Sequence, residues 1–427
     1  MGIDLILSHE YTEEVAKDRR FDVFGYTEEK MHGNLPGFAA FTTKYMPANK
    51  TFNSFVLKEL TSAIEKSAGI LSSEAHNHLQ RIWTDNTEWH EISLKDTILT
   101  LHSGMSSRIL VGEDLSHDQA WTELVKRNAV NSFQAGDTMY NWPKIFRHLV
   151  HWFLAPCRTL RRDMREVQQR VNEVIQQRRK SQAARKAQGK SSEYFDSIQW
   201  MEEAADGHDY DPALVQLTLS MVSEHTMTDL LTQTMLNLTK HPDLVQDLRK
   251  EIIAVMKDEQ WSRRSLRKLM LMDSVFKETQ RLKPISRGTM RRKALTNVRL
   301  SDGLEVPKGT TFFVSSEHMQ SNSTYPHAHK FDGYRFYKLR QEPGHENLHQ
   351  LVNTSVDEVG FGHGGYACPG RYFADAVEKI SLCHILLKYD FRLAEGSSAD
   401  PINYGTSLIS DPTAKLVVRR RQEEITL

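Results

Sequence analysis

The stretch Phe361–Ala374 reads Phe-Gly-His-Gly-Gly-Tyr-Ala-Cys-Pro-Gly-Arg-Tyr-Phe-Ala, and it ends a glycine-rich loop on one cysteine, Cys368. Directly beyond it Phe373, Val377, Ile380 and Leu387 recur at i, i+4, i+7 and i+14, one face of a helix. Cys368 is therefore expected just before or at a helix N-terminus. Unpaired amides and the positive end of the helix dipole favour a thiolate there. Gly360, Gly362, Gly364, Gly365 and Gly370 remove side chains where the backbone must pass close to something flat or bulky.

A thiolate held this way is a nucleophile or a metal ligand. The ordinary alternative is a buried cysteine that happens to precede a helix. A nucleophile needs a base, and His363 is the only local candidate. A soft sulfur offered by a tight glycine loop fits axial ligation of haem iron better.

The rest of the chain reads as mostly helical. Residues 12–20 form a short charged helix. Thr51–Ile82 and a segment starting at Trp89 and running to Leu110 follow as helices, and Leu154–Arg185 is long and charged. Residues 180–192 are polar and basic and read as an exposed loop. Asp211-Pro212 starts a helix that runs to about Lys240, where His241-Pro242 stops it. This helix is apolar except at Ser223-Glu224-His225-Thr226, and polar groups inside a buried helix need a partner or a purpose. Helices continue over Asp243–Asp258 and Met272–Leu282. Short strands are expected in Gly288–Arg299, Glu305–Ser315 and Ala414–Arg419, with a long irregular loop over Ser316–Val359.

Composition narrows the function. Lys plus Arg and Asp plus Glu are equal at 55 each, so nothing argues for nucleic acid. Three cysteines are too few for a disulfide framework. No apolar run approaches the length of about 18 residues that spans a bilayer. In a chain of 427 residues this composition suits a globular enzyme, read as one large, mainly α domain over 1–427.

The Cys368 stretch resembles the haem-thiolate signature of the cytochromes P-450, Phe-x-x-Gly-x-Arg-x-Cys-x-Gly. Phe361, Gly364, Cys368 and Gly370 match it, and Pro369, Arg371, Phe373 and Ala374 match the extended form of fungal members. Tyr366 stands where the family carries Arg or His against a haem propionate. Glu278-Thr-Gln-Arg281, ninety residues ahead of Cys368 and followed by Leu282-Lys283-Pro284, resembles the family's Glu-x-x-Arg motif. Arg335, in Phe331-Asp-Gly-Tyr-Arg-Phe, resembles the arginine that completes that trio. Ser223–Thr226 is similar to the oxygen-activation turn of the long central helix, with Thr226 as the threonine and His225 at the acid position. Lys58 falls where an early helix offers a cation to a propionate, and Ser286 falls in a region that lines the substrate pocket.

The resemblance extends over nearly the whole chain. It implies a cytochrome P-450 fold with a minor β region, haem b on Cys368, and NADPH electrons delivered by a cytochrome P-450 reductase. It also implies dioxygen and an apolar small-molecule substrate, a terpenoid, alkaloid or polyketide intermediate of fungal secondary metabolism. Members of this type begin with a membrane anchor, a proline-rich hinge and the first strands of the β region. The chain is expected to start after all of these, at the cytoplasmic side of the endoplasmic reticulum or as a soluble cytoplasmic protein. The rival reading is a haem-binding relic that does not turn over.

Overall fold

A computed structural model describes residues 4–42, 45–46, 51–190 and 192–427. The chain divides into two compact units. Among the described residues the first lies within 22–59 and 106–223, and the second within 4–21, 60–105 and 224–427.

The first unit is helical. Its longest helix, Ala155–Ala187, packs against Gln119–Tyr140. Leu35, Phe38, Ala135, Met139, Cys157 and Leu160 form one apolar cluster there. Arg178, buried on the long helix, donates to Asp196 at 2.8 Å and to Asp114 at 2.8 Å and stacks on Tyr194. That helix runs through Ala187, so residues 180–187 are helix and not the expected loop. Glu193 explains part of this, because it accepts from Arg185 at 2.9 Å and from Ser181 at 3.3 Å. No element is assigned to 111–153 from sequence, yet Asp118 caps a helix there by accepting from the Ala120 amide at 2.8 Å.

The second unit holds the sheets and most of the sequence motifs. Its main sheet has four strands in the order Leu5–Leu7, Thr311–Ser315, Gly288–Ala294 and Phe21–Asp22. Leu5–Leu7 pairs in parallel with Phe312–Val314. No element is assigned to residues 5–7 from sequence, and the pairing makes them the edge of this sheet. Phe21 and Phe312 meet edge to face at 4.8 Å in the apolar cluster beneath. The helix expected over 12–20 ends at Lys17, because Asp18 turns to accept Arg20 and Phe21 enters the sheet.

Trp89–Ser93 is a second correction. His90–Ser93 is a strand, paired antiparallel with Lys415–Val418, and the helix begins at Leu94. The expected strands after Gly288 break into Gly288–Ala294, Val298–Arg299, Glu305–Val306 and Thr311–Ser315, with turns at Gly303 and Gly309, both at positive φ.

The Arg371–Lys388 helix is buried along most of its length and packs on Thr61–Ile82. Its last carbonyls are taken by arginines. Arg249 Nε donates to Leu386 O at 2.8 Å, Arg421 Nη1 to Leu387 O at 2.8 Å, and Arg420 Nη1 to Lys388 O at 2.9 Å. These satisfy groups that a helix end otherwise leaves open.

Candidate active site

Cys368 precedes the Arg371–Lys388 helix by three residues, with Gly370 as its N-cap. The loop closes on itself. Cys368 N–H donates to Phe361 O at 2.8 Å, Gly362 N–H to Val359 O at 2.8 Å, and Ala367 N–H to Gly364 O at 3.0 Å. Gly362 and Gly364 hold φ of 72° and 73°. A Cβ on Gly364 would stand 2.7 Å from Ala16 Cβ, so both backbone angle and space demand glycine there.

Burial pushes the Cys368 thiol up, while hydrogen bonds from the Gly370 and Arg371 amides and the Arg371 charge pull it down. The helix-end amides thus act on the sulfur as the sequence implies, but burial outweighs them in the protein alone. Arg371 itself braces the loop. Its Nη1 donates to Cys368 O at 2.7 Å and its Nε to Val352 O at 3.1 Å. His363, the candidate base, has other partners than Cys368. Its Nδ1 is 3.2 Å from Thr354 Oγ1 and its Nε2 is 3.7 Å from Glu13.

Tyr366 carries no charge, but the structure brings a cation to it. The Arg292 guanidinium lies 5.0 Å from the Tyr366 ring centre and is buried. Arg292 follows a register shift in the Gly288–Ala294 strand, where Met290 has φ 48°. A bulge of this kind re-aims the side chains that follow it. Sequence reading misses Arg292, since Arg291-Arg292-Lys293 looks like a solvated run in an alternating strand.

Glu278, Arg281 and Arg335 come together ahead of the cysteine loop, where they tie the Met270–Leu282 helix to the 316–359 loop. Glu278 is 0% exposed on the Met270–Leu282 helix. Arg281 donates to it through Nε at 2.8 Å and Nη2 at 2.9 Å. Arg335 Nε reaches both carboxylate oxygens at 3.1 Å, and the Asp332 amide donates to Oε1 at 3.1 Å. The arginines then spend their remaining donors on loop carbonyls. Arg281 Nη1 reaches Met319 O at 2.6 Å, and Arg335 Nη1 reaches Pro326 O at 2.8 Å. Tyr325 stacks against both guanidiniums, at 5.2 and 5.9 Å. The carboxylate is therefore a knot between the helix and the irregular 316–359 loop.

His225 and Thr226 belong to the Pro212–Leu238 helix and, with Cys368, to the second unit. Thr226 is exposed on that helix. His225 is half-buried, and burial first, then the Lys95 charge, lowers its pKa below the ordinary histidine value. Lys58 lies in the first unit, in a π-helical turn, Val56–Leu60, with its side chain 78% exposed and 3.3 Å from Glu59. Ser286 bridges to Ser407, next to the exposed Ile285.

The family profile for cytochrome P450 matches residues 2–418. A cytochrome P450 monooxygenase of Penicillium shearii, esdpI, is 44% identical over all of this chain and 83% of its own length. A second, cle2 of Aspergillus versicolor, is 40% identical over all of this chain and 81% of its own length. Among solved structures, a retinoic acid-bound cyanobacterial CYP120A1 superposes with a TM-score of 0.72 at 16% identity, covering 97% of this chain and 88% of that one, a likeness of fold alone.

Proposed function

Because the chain belongs to the cytochrome P450 family and is a haem monooxygenase, we propose that it inserts one atom of dioxygen into an apolar terpenoid, alkaloid or polyketide intermediate of fungal secondary metabolism, with residues 1–427 acting as one catalytic domain. Its cofactor is haem b, and its electrons come from NADPH through a reductase. We place the protein with that reductase at the cytoplasmic face of the endoplasmic reticulum. Among the described residues no helix is long and apolar enough to cross a membrane.

The residues present fit the cofactor. A single soft sulfur faces two amide donors, and a buried guanidinium beside Tyr366 supplies the cation that a propionate needs. Cys368 would hold the iron, and Phe361, Gly364, Gly370 and Arg371 would shape and brace the loop around it. Tyr366 and Arg292 would hold a propionate. When bound, the haem supplies activation of dioxygen and oxidation of the substrate.

The chain's own residues do the rest. The Gly370 and Arg371 amides hydrogen-bond the sulfur and temper its charge. Glu278, Arg281 and Arg335 tie the Met270–Leu282 helix to the 316–359 loop that leads into the cysteine loop. Thr226 offers a hydroxyl and His225 an imidazole on one turn, where the pair can hold and move a proton. His225 is neutral at physiological pH on the direction of its shift, and so able to accept one.

The observation that carries the reading is the Cys368 loop, closed by its own backbone and pointed at by two amides. The test is the reduced, carbon-monoxide-bound spectrum. A red-shifted Soret band that Cys368→Ala abolishes supports thiolate ligation, and a band typical of a neutral ligand overturns it. Product analysis with a reductase and candidate polycyclic substrates then tests the substrate class.

A further inference from the structure

Asp229 follows His225 by one helical turn, on the same face of the Pro212–Leu238 helix. It is 7% exposed. Lys95, at the start of the Leu94–Leu110 helix, donates Nζ to Asp229 Oδ1 at 3.0 Å. Lys283, just past the Met270–Leu282 helix, pairs with Asp229 Oδ2 and is 4% exposed. The C-terminal segment joins them. Ser410 N–H donates to Asp229 Oδ1 at 2.9 Å, Ser410 Oγ to Asp229 O at 2.9 Å, and Lys95 Nζ to Ser410 O at 3.0 Å.

A structural ion pair needs one lysine. A second buried ammonium on the same carboxylate adds desolvation and like-charge repulsion without adding an acceptor. What the less buried of the two, Lys95, does add is positive potential. Asp411 is the other carboxylate that acts on Lys95. Burial, then Lys95, pushes Lys283 down to about 7, and burial also lowers Lys95. The group that feels this potential is His225. Its Nε2 is buried without a hydrogen-bond partner among the described residues, and Lys95 is the charge acting on it.

We propose that Lys95, Asp229 and Lys283 are positioning residues for His225: they pin the helix one turn beyond Thr226 and keep the imidazole neutral and able to accept a proton. The proposal rests on the reading of His225-Thr226 as the turn that handles protons. Each lysine reads alone as a solvated cation. Only the fold gathers the pair on one carboxylate, behind the histidine.

The test uses the holoenzyme in its reduced carbon-monoxide form, which is diamagnetic, with isotope-labelled histidine. The His225 signal is assigned by its loss in His225→Asn. Lys95→Met leaves Asp229 and Lys283 as a one-to-one pair, so the fold is expected to survive. Removing one charge at an effective dielectric constant of about 20 should raise the His225 pKa by about 0.5–1 unit. Lys95→Gln removes the same charge and should raise it in the same direction, and it serves as the second variant if Lys95→Met does not fold. An unchanged His225 titration in the folded variants overturns the proposal, since a merely structural cluster would leave it unmoved. Thr226→Ala separates the underlying reading. If product formed per NADPH is unchanged in Thr226→Ala, the oxygen-activation role of that turn fails, whatever the His225 titration shows.

Discussion

Replacing Glu278 by Gln tests what ties the Met270–Leu282 helix to the 316–359 loop that leads into the cysteine loop. The substitution keeps size and removes the charge. Four N–H donors make five contacts to that carboxylate, from Arg281, Arg335 and the Asp332 amide, at 2.8 to 3.1 Å. In the variant one oxygen becomes an NH2 that faces a guanidinium. Each charge-assisted bond contributes about 1.5–3 kcal/mol and a neutral one about 1 kcal/mol, but such terms do not add. The better guide is a buried pair that loses one partner, at about 3–5 kcal/mol. The lower part of that range applies, because the carbonyls of Met319, Pro326, His327 and Lys330 still hold the two arginines. A loss of this size is a fifth or more of a stability of about 5–15 kcal/mol. Urea unfolding followed by far-ultraviolet circular dichroism measures it, and the Soret-to-protein absorbance ratio reports haem retention on the same samples. If Glu278→Gln costs less than about 1 kcal/mol, the value of an exposed pair, the knot reading is wrong. A triple change of Glu278, Arg281 and Arg335 to apolar residues should not recover stability, since those same carbonyls would lose their donors.

Other perturbations follow from single contacts. Gly364→Ala meets both a φ of 73° and the Ala16 Cβ, so it should lose about 1–3 kcal/mol and retain less haem, whereas Gly365→Ala, with nothing within 4 Å of its Cβ, should match the parent in thermal melts. Arg292→Met should lower the Soret-to-protein ratio while leaving the far-ultraviolet spectrum unchanged, and full haem retention would exclude Arg292 as a propionate partner. His384 is buried, accepts or donates one bond at 2.8 Å to Ser72, and has its pKa lowered to about 3 by burial, then by Lys388 and His76. Its stabilising contribution is complete above the unfolded pKa of about 6.5 and is lost as pH falls from there toward the folded value, at up to about 1.4 kcal/mol per pH unit. Urea midpoints at pH 7, 6 and 5 should fall, and His384→Gln should flatten the fall. A slope that His384→Gln leaves unchanged would refute a buried neutral imidazole.

The parts of the site that sequence reveals are those whose chemistry is local. Cys368 and its glycines fall within one short loop, and Glu278 and Arg281 share one helix turn. Arg335 needs a longer reach but stands in a recognisable phrase. The Gln119–Tyr140 helix escapes because its buried face mixes Trp121, Leu124 and Val125 with Asn128, Ser132 and Gly136, which dilutes the apolar stripe. His90–Ser93 reads as the start of a helix because its partner strand is more than 300 residues away in sequence. Pairing that distant has no local signal. Arg292 depends on a bulge, and Lys95, Asp229 and Lys283 come from separate elements. Charge clusters of that kind exist only after folding.

The arginines at the far end of the Arg371–Lys388 helix carry a consequence for how the protein breathes. Fraying at Leu386–Lys388 would have to break the bonds from Arg249, Arg420 and Arg421 together. Amide exchange along this helix should then proceed only through wider opening, and not by peeling from its C-terminus. Arg420 and Arg421, remote in sequence from Cys368, thus help to set how often the first turn of its helix lets go.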